Sequence, residues 1–387
     1  MSITTRLAVG LGALVASVVP ALAPASSPVQ ASPGNGPTAI VSLGDSFISG
    51  EAGRWAGNAD SSYRSRYGTD RAFRRVGWFG WTYDVESVYP GTVANGCHRS
   101  DVAPILSNSI PVAAKINLAC SGAETSDVVN TSFKGEAPQS QQLVPVARAN
   151  DVEMIVLSIG GNDLGFADII ADCVLRFSTS LSAAPDYCED DNQPAVDAAM
   201  PAAMAGVDAS IDAIRASMAT AGYTDADYRL VVVSYPSPIP RGSEIRYRQS
   251  GYSRLTEGGC PFWNRDADWA RDSLTSQIAD NLRSVAAQNG AEFLDHRDAF
   301  QGNENCSTGA RRASSRTGPD PATAEWTRWI GSGALQGDVQ ESAHPNAYGQ
   351  QAMGRCLELL WNQAPGGEWS CTNTPNVGPQ GMVLSGI

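Results

Sequence analysis

The chain has 387 residues, of which 42% are apolar, and its 40 acidic and 27 basic side chains give a net charge of −13 at neutral pH. The apolar fraction is enough for a sizeable core, and the length permits one large domain with long insertions. An acidic chain without a run of lysine and arginine repels phosphate backbones, which excludes nucleic acid as a partner.

The first 31 residues predict a secretory signal peptide. Arg6 is their only charged residue, and the apolar stretch 7–19 is too short to span a bilayer comfortably. Small residues follow and end in Val29-Gln30-Ala31, where we expect cleavage. A membrane anchor is the alternative. We favour export, which predicts a secreted, extracellular protein with no stable membrane insertion.

Short apolar runs alternate with helical stripes along the rest of the chain. Five runs have the continuous apolar character of strands buried on both faces: 39–43, 114–118, 153–159, 230–234 and 291–294. Apolar residues recur at helical spacing in three stretches: 166–174, 207–218 and 267–285. This alternation predicts an α/β fold with a central parallel sheet over residues 32–365, followed by a Gly/Pro-rich C-terminal tail at 366–387.

Polar motifs stand at the carboxyl ends of three of these strands, where ligands of parallel sheets bind. Gly44-Asp45-Ser46 ends the first strand, Gly122 follows the second, and Gly160-Gly161-Asn162-Asp163 ends the third. A serine there can act as a nucleophile, while a glycine N–H and an asparagine amide can stabilise a developing oxyanion. Each motif by itself is also typical of a turn or a helix cap.

A late histidine completes a candidate set for nucleophilic catalysis. His344 stands in a loop just before the last predicted helix. A serine nucleophile needs a base whose pKa is near neutrality, and histidine is the usual choice. The base needs an acceptor for its other ring nitrogen, and the carboxylate of Glu341 could serve.

Together these motifs resemble the four ordered blocks of the GDSL/SGNH hydrolase family. They occur in the family's order and span nearly all of the mature chain. The resemblance implies a flavodoxin-like three-layer α/β/α sandwich, the SGNH hydrolase fold, and hydrolysis of acyl esters without a metal or cofactor. It assigns Ser46 as nucleophile and His344 as general base, with an oxyanion hole formed by Ser46, Gly122 and Asn162.

One position departs from the family pattern. The family usually has aspartate three residues before the histidine, where this chain has Glu341. Some secreted relatives instead use a Ser–His dyad whose histidine is oriented by a main-chain carbonyl from this region. We predict that the Glu341 carboxylate orients His344, with a main-chain carbonyl as the alternative.

Eight cysteines follow the expected signal peptide, an even number that implies disulfides in an exported protein. Eight cysteines allow 105 pairings, of which pairing between neighbours is the simplest: Cys97–Cys120, Cys173–Cys188, Cys260–Cys306 and Cys356–Cys371. The segments around Cys97 and Cys120 resemble secreted actinobacterial lipases and esterases, which supports that bridge. No Cys-x-x-Cys occurs, so we expect no metal site, and we interpret His98 and His296 as structural.

The sequence therefore predicts a secreted serine esterase or lipase that hydrolyses carboxylic acyl esters, with lipid and phospholipid esters favoured. A carbohydrate or aryl-acyl esterase, of the acetyl or feruloyl type, is the alternative with the same machinery. A secreted binding module without catalysis is the alternative from another class, and the complete motif set argues against it. We expect a monomer whose partner is a small-molecule or lipid ester.

Overall fold

Strands and helices alternate along the part of the chain that the computed structural model describes, residues 35–60, 68–331 and 337–387. The strands are β1 (Thr38–Gly44), β2 (Phe73–Val76), β3 (Gly80–Tyr83), β4 (Ala114–Asn117), β5 (Asp151–Ser158), β6 (Arg229–Val233), β7 (Glu292–Asp295), β8 (Glu368–Thr372) and β9 (Val383–Gly386). The α-helices are α1 (Ser46–Ser49), α2 (Thr125–Val129), α3 (Gln139–Ala149), α4 (Phe166–Thr179), α5 (Glu189–Ala221), α6 (Asn264–Asp268), α7 (Thr275–Gln288) and α8 (Ala347–Trp361). The expected signal peptide lies outside the described residues.

The main sheet has the order β4-β1-β5-β6-β7-β8-β9, in which only the β8–β9 pair is antiparallel. The predicted central parallel sheet is therefore confirmed. The chain leaves β1 toward β4 on one side and returns to β5 on the other, so the strand order reverses at β1. In open α/β sheets such a reversal opens a crevice beyond the carboxyl ends of the strands, where ligands bind.

Helices and loops cover both faces of this sheet. Side chains alternate between the faces along each strand, so Val41 and Ile155 join one core while Ile40 and Met154 join the other. The first core packs against helices α2, α3, α4, α5 and α7, and the second packs against α8 together with loop residues such as Trp326. These three layers explain why the strands read as continuous apolar runs.

The segment 366–387, which its composition indicated to be a tail, instead contributes two strands to the sheet. Strand β8 pairs in parallel with β7, with Phe293 opposite Glu368, and β9 pairs with β8. The Cys356–Cys371 disulfide ties β8 to α8. Composition misled the prediction because strands near a sheet edge need no continuous apolar run and here lie between glycine- and proline-rich turns.

The structure joins the eight cysteines in four sequential pairs: Cys97–Cys120, Cys173–Cys188, Cys260–Cys306 and Cys356–Cys371. Each pair links neighbours along the chain, with separations between 15 and 46 residues. A bridge across 15 residues stabilises a fold by about 3 kcal/mol, because it restricts the unfolded chain.

Strands β2 and β3 form an antiparallel hairpin outside the main sheet. Four residue pairs join them, from Phe73 opposite Tyr83 at the base to Val76 opposite Gly80 near the tip. Residues 74–83 are all exposed. The hairpin therefore adds almost nothing to the core.

Candidate active site

The tight turn after β1 presents Ser46 at the start of α1. Gly44 has a φ of +134°, and a Cβ on it would lie 1.8 Å from the carbonyl oxygen of Ser158, so only glycine fits. Asp45 caps α1, because its Oδ1 accepts the N–H of Phe47 at 3.0 Å. Ser46 is thereby held at the carboxyl edge of the sheet, with 5% of its surface exposed.

The loop before α8 brings His344 to Ser46. Asn346 caps α8 with its side chain, and the His344 carbonyl accepts the N–H of Arg328 at 2.8 Å. The imidazole Nε2 lies 2.6 Å from Ser46 Oγ, and Nδ1 lies 3.0 Å from the main-chain oxygen of Ser342. A carbonyl can only accept, so Nδ1 carries the proton and Nε2 can accept the proton of the Ser46 hydroxyl.

The electrostatic surroundings of His344 suit a base. Burial lowers its pKa below the ordinary value, against the opposing effects of the Glu51 carboxylate and the Ser342 carbonyl. This shift favours the uncharged imidazole, which is the state that a general base needs. The nearby Glu51 carboxylate can then stabilise the imidazolium once it has taken a proton.

The prediction that the Glu341 carboxylate orients His344 is wrong. Its two oxygens point into the interior, where Trp55 Nε1 donates to Oε2 at 2.7 Å and the Tyr89 hydroxyl donates to Oε1 at 3.1 Å. A short 3₁₀ turn ends at Glu341 and directs the side chain away from the imidazole. The hydrogen-bond acceptor beside His344 Nδ1 is instead the Ser342 carbonyl, which is the alternative that the sequence left open.

The Glu341 carboxylate has a different role, as the counter-charge of buried cations. Arg328 is fully buried, with its guanidinium 3.8 Å above the Trp55 ring. Burial lowers the pKa of Arg328 to about 9, and the charge of Glu341 opposes that shift. Burial raises the pKa of Glu341 itself, opposed by Arg54 and Arg328. The carboxylate therefore stabilises the layer beneath the site.

We expect Glu341→Gln to lower stability and to leave catalysis nearly unchanged. Glutamine can keep the hydrogen bonds, since its amide nitrogen can donate to the Tyr89 oxygen, so only the negative charge is lost. Leaving Arg54 and Arg328 without it should lower the free energy of unfolding by about 3 kcal/mol. Thermal unfolding and steady-state kinetics of the two proteins measure both effects.

The exposed Glu257→Gln is the matched control for this experiment, because it removes the same charge from the surface. It should change neither Tm nor kcat. A fall in kcat of about a hundredfold in Glu341→Gln at unchanged Tm would contradict our interpretation and return the carboxylate to the catalytic set.

Candidate oxyanion donors lie at the ends of the neighbouring strands β4, β1 and β5. Gly122 has a φ of +83°, which favours glycine and leaves its N–H unobstructed by a side chain. Among the described residues, no acceptor takes the N–H of Ser46 or of Gly122. The Asn162 amide donates one hydrogen bond to the Ala123 carbonyl at 2.8 Å, which leaves its second N–H for a ligand.

Sequence reasoning missed Tyr235, which links two of these strand ends. Its hydroxyl donates to Asp45 Oδ2 at 2.5 Å and accepts the N–H of Gly161 at 3.0 Å. Burial raises the pKa of Asp45 to about 7, although the hydrogen bond from Tyr235 opposes it. Tyr235 stands two residues beyond β6, and that place at the carboxyl edge was the one available signal.

A second group that the sequence did not indicate surrounds Glu51. Its buried carboxylate pairs with His98 Nδ1 at 2.8 Å and accepts from Gln340 Nε2 at 3.2 Å. Burial lowers the pKa of His98, but the Glu51 carboxylate outweighs that effect and the net shift is upward. These partners stand 47 and 289 positions from Glu51, so no local motif could reveal them.

The remaining histidine, His296, directly follows strand β7. His296 is buried, and burial lowers the pKa of its imidazole to about 4. The described residues contain no group of three or more His, Cys, Asp and Glu side chains that could hold a metal ion. His296 is therefore a packed, neutral side chain.

Comparison with known proteins gives a family match. The model of the GDSL-like lipase/acylhydrolase family matches residues 91–352, more than half of the chain. This range contains Gly122, Asn162 and His344 and begins after Ser46. The independent match thus covers three of the four motif positions.

Individual relatives share little more than a quarter of their aligned residues with this chain. The chain is 28% identical over 356 residues to a lipase of Streptomyces rimosus, with 89% of this chain and 94% of that protein covered. It is 28% identical over 237 residues to Lipase 1 of Streptomyces coelicolor, covering 60% of this chain and spanning only 64% of that protein's length. The crystal structure of the extracellular lipase from S. rimosus aligns with a TM-score of 0.45 and 22% identity over 84% of this chain and 100% of that one. The family match shows that this chain belongs to the GDSL-like lipase/acylhydrolase family of enzymes.

Proposed function

We propose that the chain is a secreted serine esterase that hydrolyses carboxylic acyl esters, with Ser46 as nucleophile and His344 as general base. The observation that carries this proposal is the relay from Ser46 Oγ through the His344 imidazole to the Ser342 carbonyl, with distances of 2.6 and 3.0 Å. A nucleophile, a base and an orienting acceptor in hydrogen-bond contact are the requirements of acyl transfer.

In the first half of the reaction, Ser46 Oγ attacks the ester carbonyl carbon while His344 Nε2 takes the hydroxyl proton. The carbonyl oxygen becomes an oxyanion that the N–H groups of Ser46 and Gly122 and the Asn162 amide stabilise. The bond to the leaving alcohol then breaks, and His344 returns the proton to that oxygen. The product is an acyl ester on Ser46.

Water completes the cycle in a second acyl transfer, in which water is the attacking group and Ser46 is the leaving group. His344 removes a proton from water as the water oxygen attacks the acyl carbonyl, and the same donors stabilise the second oxyanion. Collapse releases the carboxylic acid and returns the proton to Ser46. In both halves the imidazolium is stabilised by the Ser342 carbonyl and by the Glu51 carboxylate.

Lipid and phospholipid esters are the favoured substrates in this proposal. Two aromatic rings flank the reacting groups. The Phe47 ring lies 5.1 Å from the His344 imidazole. The Phe133 ring lies beside Gly122, 3.6 Å from where a Cβ atom would stand if that residue had one. Apolar rings suit an acyl chain, and two relatives bear the name lipase. Hydrolysis of methyl ferulate or acetylated xylan in preference to triglyceride and phospholipid would favour the aryl or carbohydrate alternative.

Export is part of the same proposal. The four disulfides suit an oxidising compartment, and the charge and hydropathy pattern of residues 1–31 supports a cleaved signal. Sequencing the N-terminus of the protein recovered from culture medium tests both points, and a protein that retains Met1 and stays with the cells would contradict them.

A burst experiment tests the acyl-enzyme. With excess p-nitrophenyl ester, we expect a rapid release of nitrophenol equivalent to the enzyme concentration whenever deacylation limits turnover. Mass spectrometry of the quenched protein should find the acyl group on the Ser46 peptide. Ser46→Ala should give neither signal, whereas replacing the exposed Ser126 with alanine should leave both intact. Acylation that persists in Ser46→Ala would refute the assignment.

The pH–rate profile should also report His344. Because the base must be neutral, kcat/KM should fall as the pH drops through its pKa, and burial places that acid limb below the ordinary value of 6.5. Glu51→Gln removes a charge that favours the protonated imidazole, so the limb should move to still lower pH. Measurements from pH 4 to 9 decide this, with Glu257→Gln as control, and an upward shift would contradict it.

A further inference from the structure

The β2–β3 hairpin carries an unusual set of exposed rings. Trp78 is 84% exposed and Phe79 is 96% exposed at its tip, and Trp81 and Tyr83 on β3 are about half exposed, at 52% and 47%. Val76 adds another exposed apolar side chain. Exposed apolar side chains concentrated on one projection of a protein surface mark an interaction site.

The hairpin is built to hold these rings outward. Its two strands are joined by a regular ladder of four residue pairs, and the Phe73 and Trp81 rings stack at 4.9 Å. At the tip, the Arg75 guanidinium donates to the carbonyl oxygen of Trp78 at 2.9 Å. The aromatic tip is therefore held in place by the hairpin's own hydrogen bonds and ring contacts.

The charge of the hairpin opposes that of the whole chain. Residues 71–83 contain three arginines and no acidic residue, in a protein with a net charge of −13. Arg71 is paired with Asp101, whereas Arg74 and Arg75 are exposed on β2 beside the aromatic tip. A projection that carries positive charge and aromatic rings thus complements a surface with negative charge outside and apolar groups beneath it.

We propose that this hairpin docks the enzyme on an anionic lipid surface. Trp78 and Phe79 would enter the boundary between headgroups and acyl chains, where aromatic rings are favoured. Arg74 and Arg75 would meet the anionic headgroups, which attract basic side chains near a membrane surface. The docking that we propose is peripheral. In the described ranges, no helix has the length and apolar character to cross a bilayer.

Other occupants fit the same features less well. A stable protein interface needs roughly 800 Å² from each partner, whereas the tip of the hairpin is convex and narrow and would contact a rigid partner over a small area. Two copies of the chain would bring like charges together at Arg74 and Arg75. A fluid lipid surface can close around a convex tip and supplies the opposite charge.

The base of the hairpin is joined to the layer that supports the active site. Arg54 binds Asp70 with two hydrogen bonds, and Asp70 lies just before β2. The neighbouring Trp55 donates to Glu341, and its carbonyl accepts the N–H of Ala347 at the start of α8. A docked hairpin would therefore hold the loop that carries His344 next to the lipid surface.

Vesicle sedimentation tests the proposal independently of catalysis. The protein used is Ser46→Ala, so that no lipid is consumed, with vesicles of phosphatidylcholine alone or of phosphatidylcholine and phosphatidylglycerol in equal parts. We expect tighter binding to the anionic vesicles. Trp78→Ser with Phe79→Ser should weaken binding to both by about tenfold or more. Arg74→Gln with Arg75→Gln should abolish most of the preference for the anionic vesicles.

The control is a pair of exposed leucines elsewhere on the surface, Leu175→Ser with Leu181→Ser, which should bind like the parent. The hairpin variants in a background with Ser46 intact should keep full activity on a soluble p-nitrophenyl ester. Vesicle binding that is absent in the parent, or unchanged in the Trp78 and Phe79 variant, overturns the proposal. Self-association in gel filtration that the same variant abolishes would assign the hairpin to a second copy instead.

Discussion

Replacing either Ser46 or His344 with alanine is expected to lower kcat on a soluble ester by about four to six orders of magnitude. The first change removes the attacking oxygen, and the second leaves that oxygen as an unactivated hydroxyl. Because the two groups act as one unit, the double variant should be little worse than either single variant. We expect the proposed oxyanion donors to supply the residual rate.

Both variants should fold, since Ser46→Ala loses only the hydrogen bond between these side chains and His344→Ala loses in addition the one to the Ser342 carbonyl. Circular dichroism and thermal unfolding check this before the kinetics are compared. Ser126→Ala provides a matched serine control on the exposed face of α2. Activity of either site variant within about tenfold of wild type would remove that residue from the mechanism.

Asn162→Ala is expected to lower kcat by about a hundredfold to a thousandfold with little change in KM. The amide uses one N–H to hold the Ala123 carbonyl, and in the proposed mechanism it offers the other to the oxyanion. A negative charge is present on the substrate oxygen only in the transition state and the tetrahedral intermediate. The donor therefore stabilises these species far more than the bound ester.

A control separates this role from a structural one. Asn362 is exposed at the end of α8 and also donates to a main-chain carbonyl, that of Glu358 at 2.9 Å. Asn362→Ala should leave kcat unchanged. If Asn162→Ala instead raised KM and left kcat intact, the amide would belong to ground-state binding and the oxyanion assignment would fall.

The sheet and its active edge were predictable because both depend on local patterns. A strand buried on two faces must be apolar along its length, and the runs that contain β1, β5 and β6 met that condition. The turn after β1 also carries its own signal, since only glycine can stand at Gly44 beside the Ser158 carbonyl. Strands β8 and β9 lacked both kinds of signal and were interpreted as a tail.

The partner of His344 shows where sequence reasoning ends. Spacing indicates that Glu341 is near the imidazole, but a side chain turns toward whichever neighbours satisfy it. On the other side of the loop, the carboxylate finds two hydrogen-bond donors, Trp55 and Tyr89, and the positive charge of the buried Arg328. Two of these groups, Trp55 and Tyr89, stand 286 and 252 positions from Glu341 in the chain, so no local pattern could reveal the choice.

By itself, the sequence determined the fold class, the parallel sheet and the strand ends at which the candidate nucleophile and oxyanion donors stand, because periodicity and turn chemistry act within a few residues. The tertiary structure alone decided that a main-chain carbonyl orients His344, that Glu51 is its nearby charge, and that Tyr235 joins two strand ends. It also decided that the aromatic residues at the tip of the β2–β3 hairpin and on β3 face solvent. Long-range packing and electrostatics choose among the contacts that local patterns leave open.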